Sequence, residues 1–334
     1  MINSEVWQQK FIEQYKQKVL TGKIAEDTPK FVYLLGAKGS GKTTLARKMN
    51  NVVLASTDDI IAEFIKANGY DGRTYSYGAE ESRFFSKVLN EVFEAAIANK
   101  YNIVFDTGLT DNTEKLISKM EKRGYTPEIK AILVDDIVAQ LNVVARKLEF
   151  DNKFTMYIEG KDKYPENLNP TQVSIELAKK SAVDVANFLQ EMDEMGQSFE
   201  VYEYGNDIPS YNTRDSKISF ADYLEDFCSR LPEEKSYLEK VDQQINLAVE
   251  MHNVEAALSL LNLRKQLVKT EDLEKVKISD LALDMIERAS HSVDVLERDI
   301  EDNAKVKKGG FVPKKIGKPN PKKVNPIRGK RYGR

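Results

Sequence analysis

The fold of this chain is decided by residues 30–44, which read Lys-Phe-Val-Tyr-Leu-Leu-Gly-Ala-Lys-Gly-Ser-Gly-Lys-Thr-Thr. The apolar run at residues 31–35 predicts a buried parallel strand. The pattern G-x-x-x-x-G-K-T then extends from Gly36 to Thr43, and good helix formers follow at residues 45–49 without a breaker. A strand, a glycine-rich loop and a helix in this order are the context that a phosphate-binding loop requires.

Each residue type in this loop has a physical reason to hold a phosphorylated nucleotide. Glycines have no Cβ, so the backbone can bend tightly around an anion while its N–H groups point at phosphate oxygens. Lys42 places an ammonium group near the outer phosphates, and Thr43 offers a hydroxyl to Mg²⁺. We therefore predict that ATP and Mg²⁺ bind here, and that the nucleotide is held by Gly36, Ala37, Lys38, Gly39, Ser40, Gly41, Lys42, Thr43 and Thr44.

Carboxylates occur at the ends of two further predicted strands. Asp58 follows the second strand along the chain, and Asp106 ends the third. The carboxyl ends of parallel strands share one edge of a sheet, so both acids should lie beside the loop. We predict Asp58 as the base that deprotonates an attacking hydroxyl, and Asp106 with Thr43 as the metal site. The alternative role for Asp58 is to cap a helix predicted from Ile60.

A cation is needed as well, because negative charge develops on a phosphoryl group during its transfer. Arg146 lies just before a polar, irregular segment at residues 151–169, which we interpret as a lid. We predict that Arg146 is catalytic together with Lys42, and its alternative role is that of a solvated helix-surface charge.

Composition bounds the class of protein. The chain has 334 residues, of which 41% are hydrophobic, and this is enough for a sizeable core. Its one cysteine, Cys228, excludes an internal disulfide and fits a reducing compartment. No apolar run approaches the length of a membrane span. We therefore expect a cytoplasmic protein that does not interact with membranes.

Charge is distributed unevenly along the chain. Residues 305–334 hold twelve Lys and Arg and no acid. Taking these twelve from the 50 basic residues of the whole chain leaves 38 against 53 acidic ones, a net charge of −15. A basic segment of this kind can neutralise phosphates without reading sequence, so nucleic acid or an acidic partner could bind there. A solubilising or partner-docking arm is the alternative.

The motifs together resemble one group of enzymes. The resemblance is carried by residues 36–43, 54–59, 102–108 and 119–125. Over about residues 25–215 the chain is similar to the zeta-toxin and polynucleotide-kinase branch of small P-loop kinases. The resemblance implies a five-stranded parallel sheet flanked by helices, with Asp58 as the base and Asp106 contacting metal or substrate. It also implies an acceptor hydroxyl on a nucleotide sugar or on a nucleic acid.

Alternation of strands and helices up to about residue 215 independently predicts an α/β fold with a parallel sheet, and only helical periodicity follows. We divide the chain into an N-terminal helix, a P-loop kinase domain, a helical C-terminal region and a basic flexible tail. Their bounds are residues 1–24, 25–215, 216–304 and 305–334.

Two functions of different class agree with these features. The first is an ATP- and Mg²⁺-dependent kinase that phosphorylates a hydroxyl group. The second is a catalytically degenerate nucleotide-binding protein, in which the helical C-terminus and the basic tail bind a partner or nucleic acid. An ATPase motor is a weaker third hypothesis, because the sequence shows no second phosphate loop.

Overall fold

The described part of the chain is built on a six-stranded sheet. The computed structural model describes residues 4–106, 113–165 and 173–268. The strands, in chain order, are β1 (Lys30–Gly36), β2 (Val52–Ala55), β3 (Asn102–Asp106), β4 (Thr126–Leu133), β5 (Phe199–Glu203) and β6 (Tyr211–Asn212). They lie in the spatial order β2-β3-β1-β4-β5-β6. The five-stranded parallel sheet is confirmed, and β6 adds a short antiparallel strand at its edge.

Helices occupy most of the remaining described chain. They are α1 (Glu5–Leu20), α2 (Lys42–Lys48), α3 (Thr57–Asn68), α4 (Ala79–Ala98), α5 (Thr113–Lys122), α6 (Asp136–Ile158), α7 (Ile175–Glu194), α8 (Phe220–Ser229), α9 (Leu238–Glu250) and α10 (Val254–Leu267). Within the described ranges, none of them is long and apolar enough to cross a membrane.

The alternation of side chains along β1 separates two apolar clusters. Phe31, Tyr33 and Leu35 belong to the larger one, which also holds side chains of α1, α3, α4 and α7. Val32 and Leu34 belong to a smaller one, closed by residues of α2. Because successive side chains of a strand point to opposite faces, burial on both faces explains why β1 is a continuous apolar run.

A third apolar cluster lies around α6. One side is formed by α6 and α7, and the other by α9 and α10, with Leu260 and Leu263 fully buried. We call α9, α10 and the preceding Tyr237 the C-terminal hairpin (residues 237–267). The domain boundary at residue 215 stays a prediction. Residues 269–304 and the predicted tail at 305–334 lie outside the described residues.

The predicted lid is wrong over its first eight residues, because α6 continues to Ile158. No glycine or proline interrupts residues 151–158, and Lys147 pairs with Asp151 one turn along the helix. The helix ends only before Gly160, whose φ is +71°. Residues 166–169 of the predicted lid are outside the described part of the chain.

The ion pair between Lys147 and Asp151 is buried, with side chains 8% and 12% exposed and an N–O distance of 2.5 Å. We expect Lys147→Met to lower the free energy of unfolding by about 3 kcal/mol, because it leaves a buried carboxylate without its cation. Chemical denaturation measures this loss.

The matched control is Lys153→Met on the same helix. Lys153 pairs with Glu149 at 2.7 Å, but both side chains are close to half exposed, so stability should hardly change. Equal losses in the two variants would contradict the account.

Candidate active site

The loop between β1 and α2 has a conformation that only its glycines allow. Gly39 and Gly41 have φ values of +84° and +87°, in the left-handed region that is costly for other residues. A Cβ on Gly36 would lie 2.4 Å from the hydroxyl oxygen of Ser40. The sequence therefore forms the tight loop that was predicted from its motif. We call residues 36–44 the P-loop.

Two helices hold the P-loop from outside. Asn142 of α6 donates its side-chain amide to the Gly39 carbonyl at 2.8 Å, and the backbone N–H of Lys38 donates to the Ser181 hydroxyl of α7 at 3.0 Å. A Cβ on Gly39 would lie 2.4 Å from the carbonyl oxygen of Ala139, so α6 can approach this closely only at a glycine. Asn142 and Ser181 were not predicted, since contacts across more than a hundred residues leave no local signal.

The Lys42 ammonium lies inside the loop. Its Nζ donates to the carbonyl oxygens of Gly36 at 2.8 Å and Ala37 at 2.9 Å. Burial lowers the pKa of Lys42 to about 8, although nearby Asp106 acts in the opposite direction. An anion in the loop would favour the charged form.

Thr43 and Asp106 come together at the end of the sheet. Leu34 of β1 is paired with Asp106 of β3, and the Thr43 hydroxyl donates to Oδ2 of Asp106 at 2.5 Å. A hydroxyl and a carboxylate are hard oxygen ligands of the type that Mg²⁺ takes, with phosphate and water oxygens completing its shell. Among the described residues no group of three or more His, Cys, Asp or Glu is placed to hold a metal. The pair therefore fits Mg²⁺ bound jointly with a nucleotide.

Asp58 and Asp59 differ in their partners. The helix α3 begins at Thr57, with Ser56 in the N-cap position, so the alternative in which Asp58 caps a helix from Ile60 is wrong. Asp59 accepts from the Arg47 guanidinium at 3.0 Å. Burial raises the pKa of Asp59, and Arg47 partly offsets this. Asp58 has no hydrogen bond or ion pair with any described residue, and this leaves its carboxylate available.

A cavity of about 650 Å³ brings the candidate residues together. Arg146 lines it from α6 and has no ion pair with the described residues. Gly36 and Ala37 do not line the cavity, but their carbonyls hold Lys42. The other predicted site residues all line it, namely Lys38, Gly39, Ser40, Gly41, Lys42, Thr43, Thr44, Asp58 and Asp106.

One wall of the cavity was not predicted. It is formed by Glu203, the last residue of β5, and by residues 204–207 that follow it, with Tyr204 47% exposed. The Tyr204 ring lies 3.7 Å from where a Cβ on Gly41 would be, and Asp207 pairs with Lys48 at 2.6 Å. An exposed tyrosine followed by Gly205 at the end of the last parallel strand is the signal that could have indicated this wall.

The sheet order, the P-loop and the acids at the strand ends define a P-loop kinase fold. Residues 16–153 match the family model described as zeta toxin. The matched segment contains the P-loop, Asp58, Asp106 and Arg146. The predicted resemblance to the zeta-toxin family is therefore confirmed over this segment.

Distant likenesses to solved structures also occur. One structure is from the PezAT chromosomal toxin–antitoxin system of Streptococcus pneumoniae, with 16% identity, a TM-score of 0.47, and coverage of 67% of this chain and 88% of that chain. AvrRxo1-ORF1:AvrRxo1-ORF2 with sulphate ions has 14% identity and a TM-score of 0.48, and the complex with ATP has 14% and 0.46. Each of these two matches covers 77% of this chain and 84% of the matched chain. No curated protein matches this chain.

Nucleotide binding should weaken as the pH rises above about 8, where Lys42 loses its proton in the free protein. Phosphates favour the ammonium form, so binding above this pH takes up a proton, and the dissociation constant should rise by up to roughly tenfold per pH unit. The sign is opposite for folding. Between about 8 and the usual 10.5 the unfolded chain holds more protons at Lys42, so the cost of burying this charge is relieved and the free energy of unfolding of the unliganded protein rises with pH.

Isothermal titration with a non-hydrolysable ATP analogue, from neutral pH to about pH 9.5, measures the effect. In the Lys42→Arg variant the guanidinium stays charged, so the dependence should disappear. A flat wild-type profile would show that Lys42 does not titrate in this range.

Proposed function

We propose that this protein is an ATP- and Mg²⁺-dependent kinase that transfers the γ-phosphate to a hydroxyl group of a nucleotide sugar or a nucleic acid. One observation carries the proposal. The P-loop with Lys42, the Thr43–Asp106 pair, and Asp58 and Arg146, which have no ion pair within the described part of the chain, all border a single cavity. A phosphate site, a metal site, a base and a cation are what phosphoryl transfer to a hydroxyl requires.

Each of these residues has one task in the reaction. The P-loop amides and Lys42 bind the phosphates, and Thr43 and Asp106 would hold Mg²⁺. When bound, Mg²⁺ neutralises charge on the phosphate oxygens. Asp58 accepts the proton of the acceptor hydroxyl, whose oxygen forms a bond to the γ-phosphorus. The bond from this phosphorus to the bridging oxygen breaks, and ADP leaves with that electron pair. Arg146 stabilises the charge on the transferred group.

The choice of Asp58 over Asp59 follows from their partners. A base must have a free lone pair within reach of the hydroxyl proton. Asp59 is bound to Arg47 at 3.0 Å, whereas Asp58 has no partner among the described residues. Asp59 and Arg47 instead connect α3 to α2 beside the P-loop.

We also propose that the nucleoside lies against residues 203–207. The P-loop fixes the phosphates, and the half-exposed Tyr204 ring lies beside Gly41 of that loop and lines the same cavity. Bases stack on such faces with little regard to their identity. The acceptor class rests on the family resemblance.

Asp58→Asn should lower phosphate transfer by at least about 100-fold, because an amide cannot take the proton. The affinity for the nucleotide should stay unchanged, since Asp58 does not form the P-loop. Consumption of labelled ATP with a panel of nucleotide sugars and oligonucleotides measures transfer.

Glu63→Gln is the matched control. Glu63 lies on the same helix as Asp58, pairs with Lys18 at 2.5 Å and does not line the cavity, so this variant should keep full activity. Nucleotide binding by the wild type with no turnover on any acceptor would instead favour the degenerate nucleotide-binding protein.

Tyr204→Ala should weaken binding of an ATP analogue by about tenfold through the loss of base stacking. Inorganic tripolyphosphate has no base, so its affinity should not change. Titration of both ligands into both proteins distinguishes stacking from damage to the P-loop. Equal weakening of the two ligands would refute a base site at Tyr204.

A further inference from the structure

The C-terminal hairpin lies outside the matched residues 16–153 and contributes no side chain to the cavity. It is nevertheless hydrogen-bonded to Asp135, the N-cap residue of α6, and to Asp151 in the C-terminal half of that helix. The helix α6 carries Asn142 and Arg146, and its Ala139 carbonyl lies against Gly39. The hairpin therefore contacts the element that shapes the site, without contacting the site.

The first bond is at the N-terminus of α6. Asp135 caps this helix by accepting from the backbone N–H of Ile137 at 2.8 Å through Oδ1. Its other oxygen, Oδ2, accepts from the Tyr237 hydroxyl at 2.7 Å. Both side chains are buried, so the bond is shielded from water. One carboxylate thus joins the cap of α6 to the start of the hairpin.

The second bond lies sixteen positions further along, about 24 Å at 1.5 Å per residue. Asn253 caps α10 and donates its amide to Oδ2 of Asp151 at 3.0 Å. The other oxygen of Asp151 accepts from Lys147 at 2.5 Å, and Lys147 also donates to the Arg73 carbonyl at 2.9 Å. Through Asp151 the hairpin is thereby linked to Lys147, which follows Arg146 in the chain, and through Lys147 to the loop after α3.

Apolar packing connects the two bonds. The cluster around α6 contains Leu141, Val144 and Leu148 of that helix together with buried side chains of the hairpin. Ala37 of the P-loop belongs to the same cluster. The P-loop, α6 and the hairpin therefore share one packed interior, and such interiors transmit displacement because they contain few voids.

We propose that the C-terminal hairpin positions α6 for nucleotide binding, with Tyr237 and Asn253 as positioning residues. Tyr237 fixes the first turns of α6, where Ala139 and Asn142 hold Gly39. The P-loop amides are then preorganised for phosphate before it arrives. Asn253 fixes the segment that carries Arg146. For Tyr237 the inference rests on the proposed function only in that phosphates bind to the P-loop, and for Asn253 it rests also on the proposed role of Arg146 in phosphate transfer.

The test compares Tyr237→Phe with Tyr125→Phe. Tyr125 is also buried, and its hydroxyl contacts the carbonyls of Tyr101 at 2.9 Å and Ala96 at 3.3 Å, beside the amino ends of β3 and β4, whereas the P-loop follows the carboxyl end of β1. Both variants lose the hydrogen bonding of one tyrosine hydroxyl, so both should melt at a lower temperature than the wild type. Only Tyr237→Phe should speed amide hydrogen exchange in residues 36–44 of the free protein. It should also weaken binding of a non-hydrolysable ATP analogue by about three- to tenfold.

The two readouts separate this inference from the proposed function. If the wild type does not bind the ATP analogue, the proposed function fails, and the exchange rates still decide whether Tyr237 positions the P-loop. Wild-type exchange in residues 36–44 of Tyr237→Phe would overturn the inference. Equal acceleration there in Tyr125→Phe would overturn it too, because the effect would then be one of general stability.

Asn253→Ser tests the second bond. Serine keeps an oxygen to cap α10 but is too short to donate to Asp151. We expect this variant to lower kcat for phosphate transfer by about three- to tenfold while the dissociation constant of the ATP analogue stays as in the wild type. An unchanged kcat would remove Asn253 from the proposal.

Discussion

The site depends on the close contact between α6 and the P-loop at Gly39. This contact requires a residue without a Cβ, because the Ala139 carbonyl occupies the place where a Cβ would be. A loop that turns its N–H groups inward for an anion leaves other backbone groups facing its neighbours, and buried groups of this kind need partners. Asn142 takes the Gly39 carbonyl, and Ser181 takes the Lys38 N–H. The helices thus satisfy the backbone groups that a phosphate cannot reach.

The charged side chains around the cavity differ in whether they have ion-pair partners. At the rim, Arg47 is paired with Asp59 and Lys48 with Asp207, so these four groups largely cancel. Neither Asp58 nor Arg146 has an ion-pair partner among the described residues. The cavity therefore holds an available carboxylate and an available guanidinium within a nearly neutral frame. A free acid and a free cation can act on a substrate because they need not first break an ion pair.

The sequence was a good guide wherever one local pattern determines one structure. Residues 30–44 predict strand, loop and helix directly, and the parallel sheet brings Asp58 and Asp106 to the same edge. It was a poor guide where the structure depends on distant partners. The extension of α6 rests partly on the pairing of Asp151 with Lys147 and on contacts with α10. The wall at residues 203–207 becomes part of the site only when β5 is placed beside β4.

The family match ends at residue 153, which lies inside α6. One side of α6 packs on α7 and another on the C-terminal hairpin, and both lie beyond the match. Full burial of a leucine contributes about 1.5–3 kcal/mol, so Leu260 and Leu263 alone add substantially to the stability of this core. A division of the chain at residue 215 would expose the face of α6 that they cover. The matched segment contains the P-loop, Asp58, Asp106 and Arg146, and the helices that follow it complete the core on which the geometry of these residues depends.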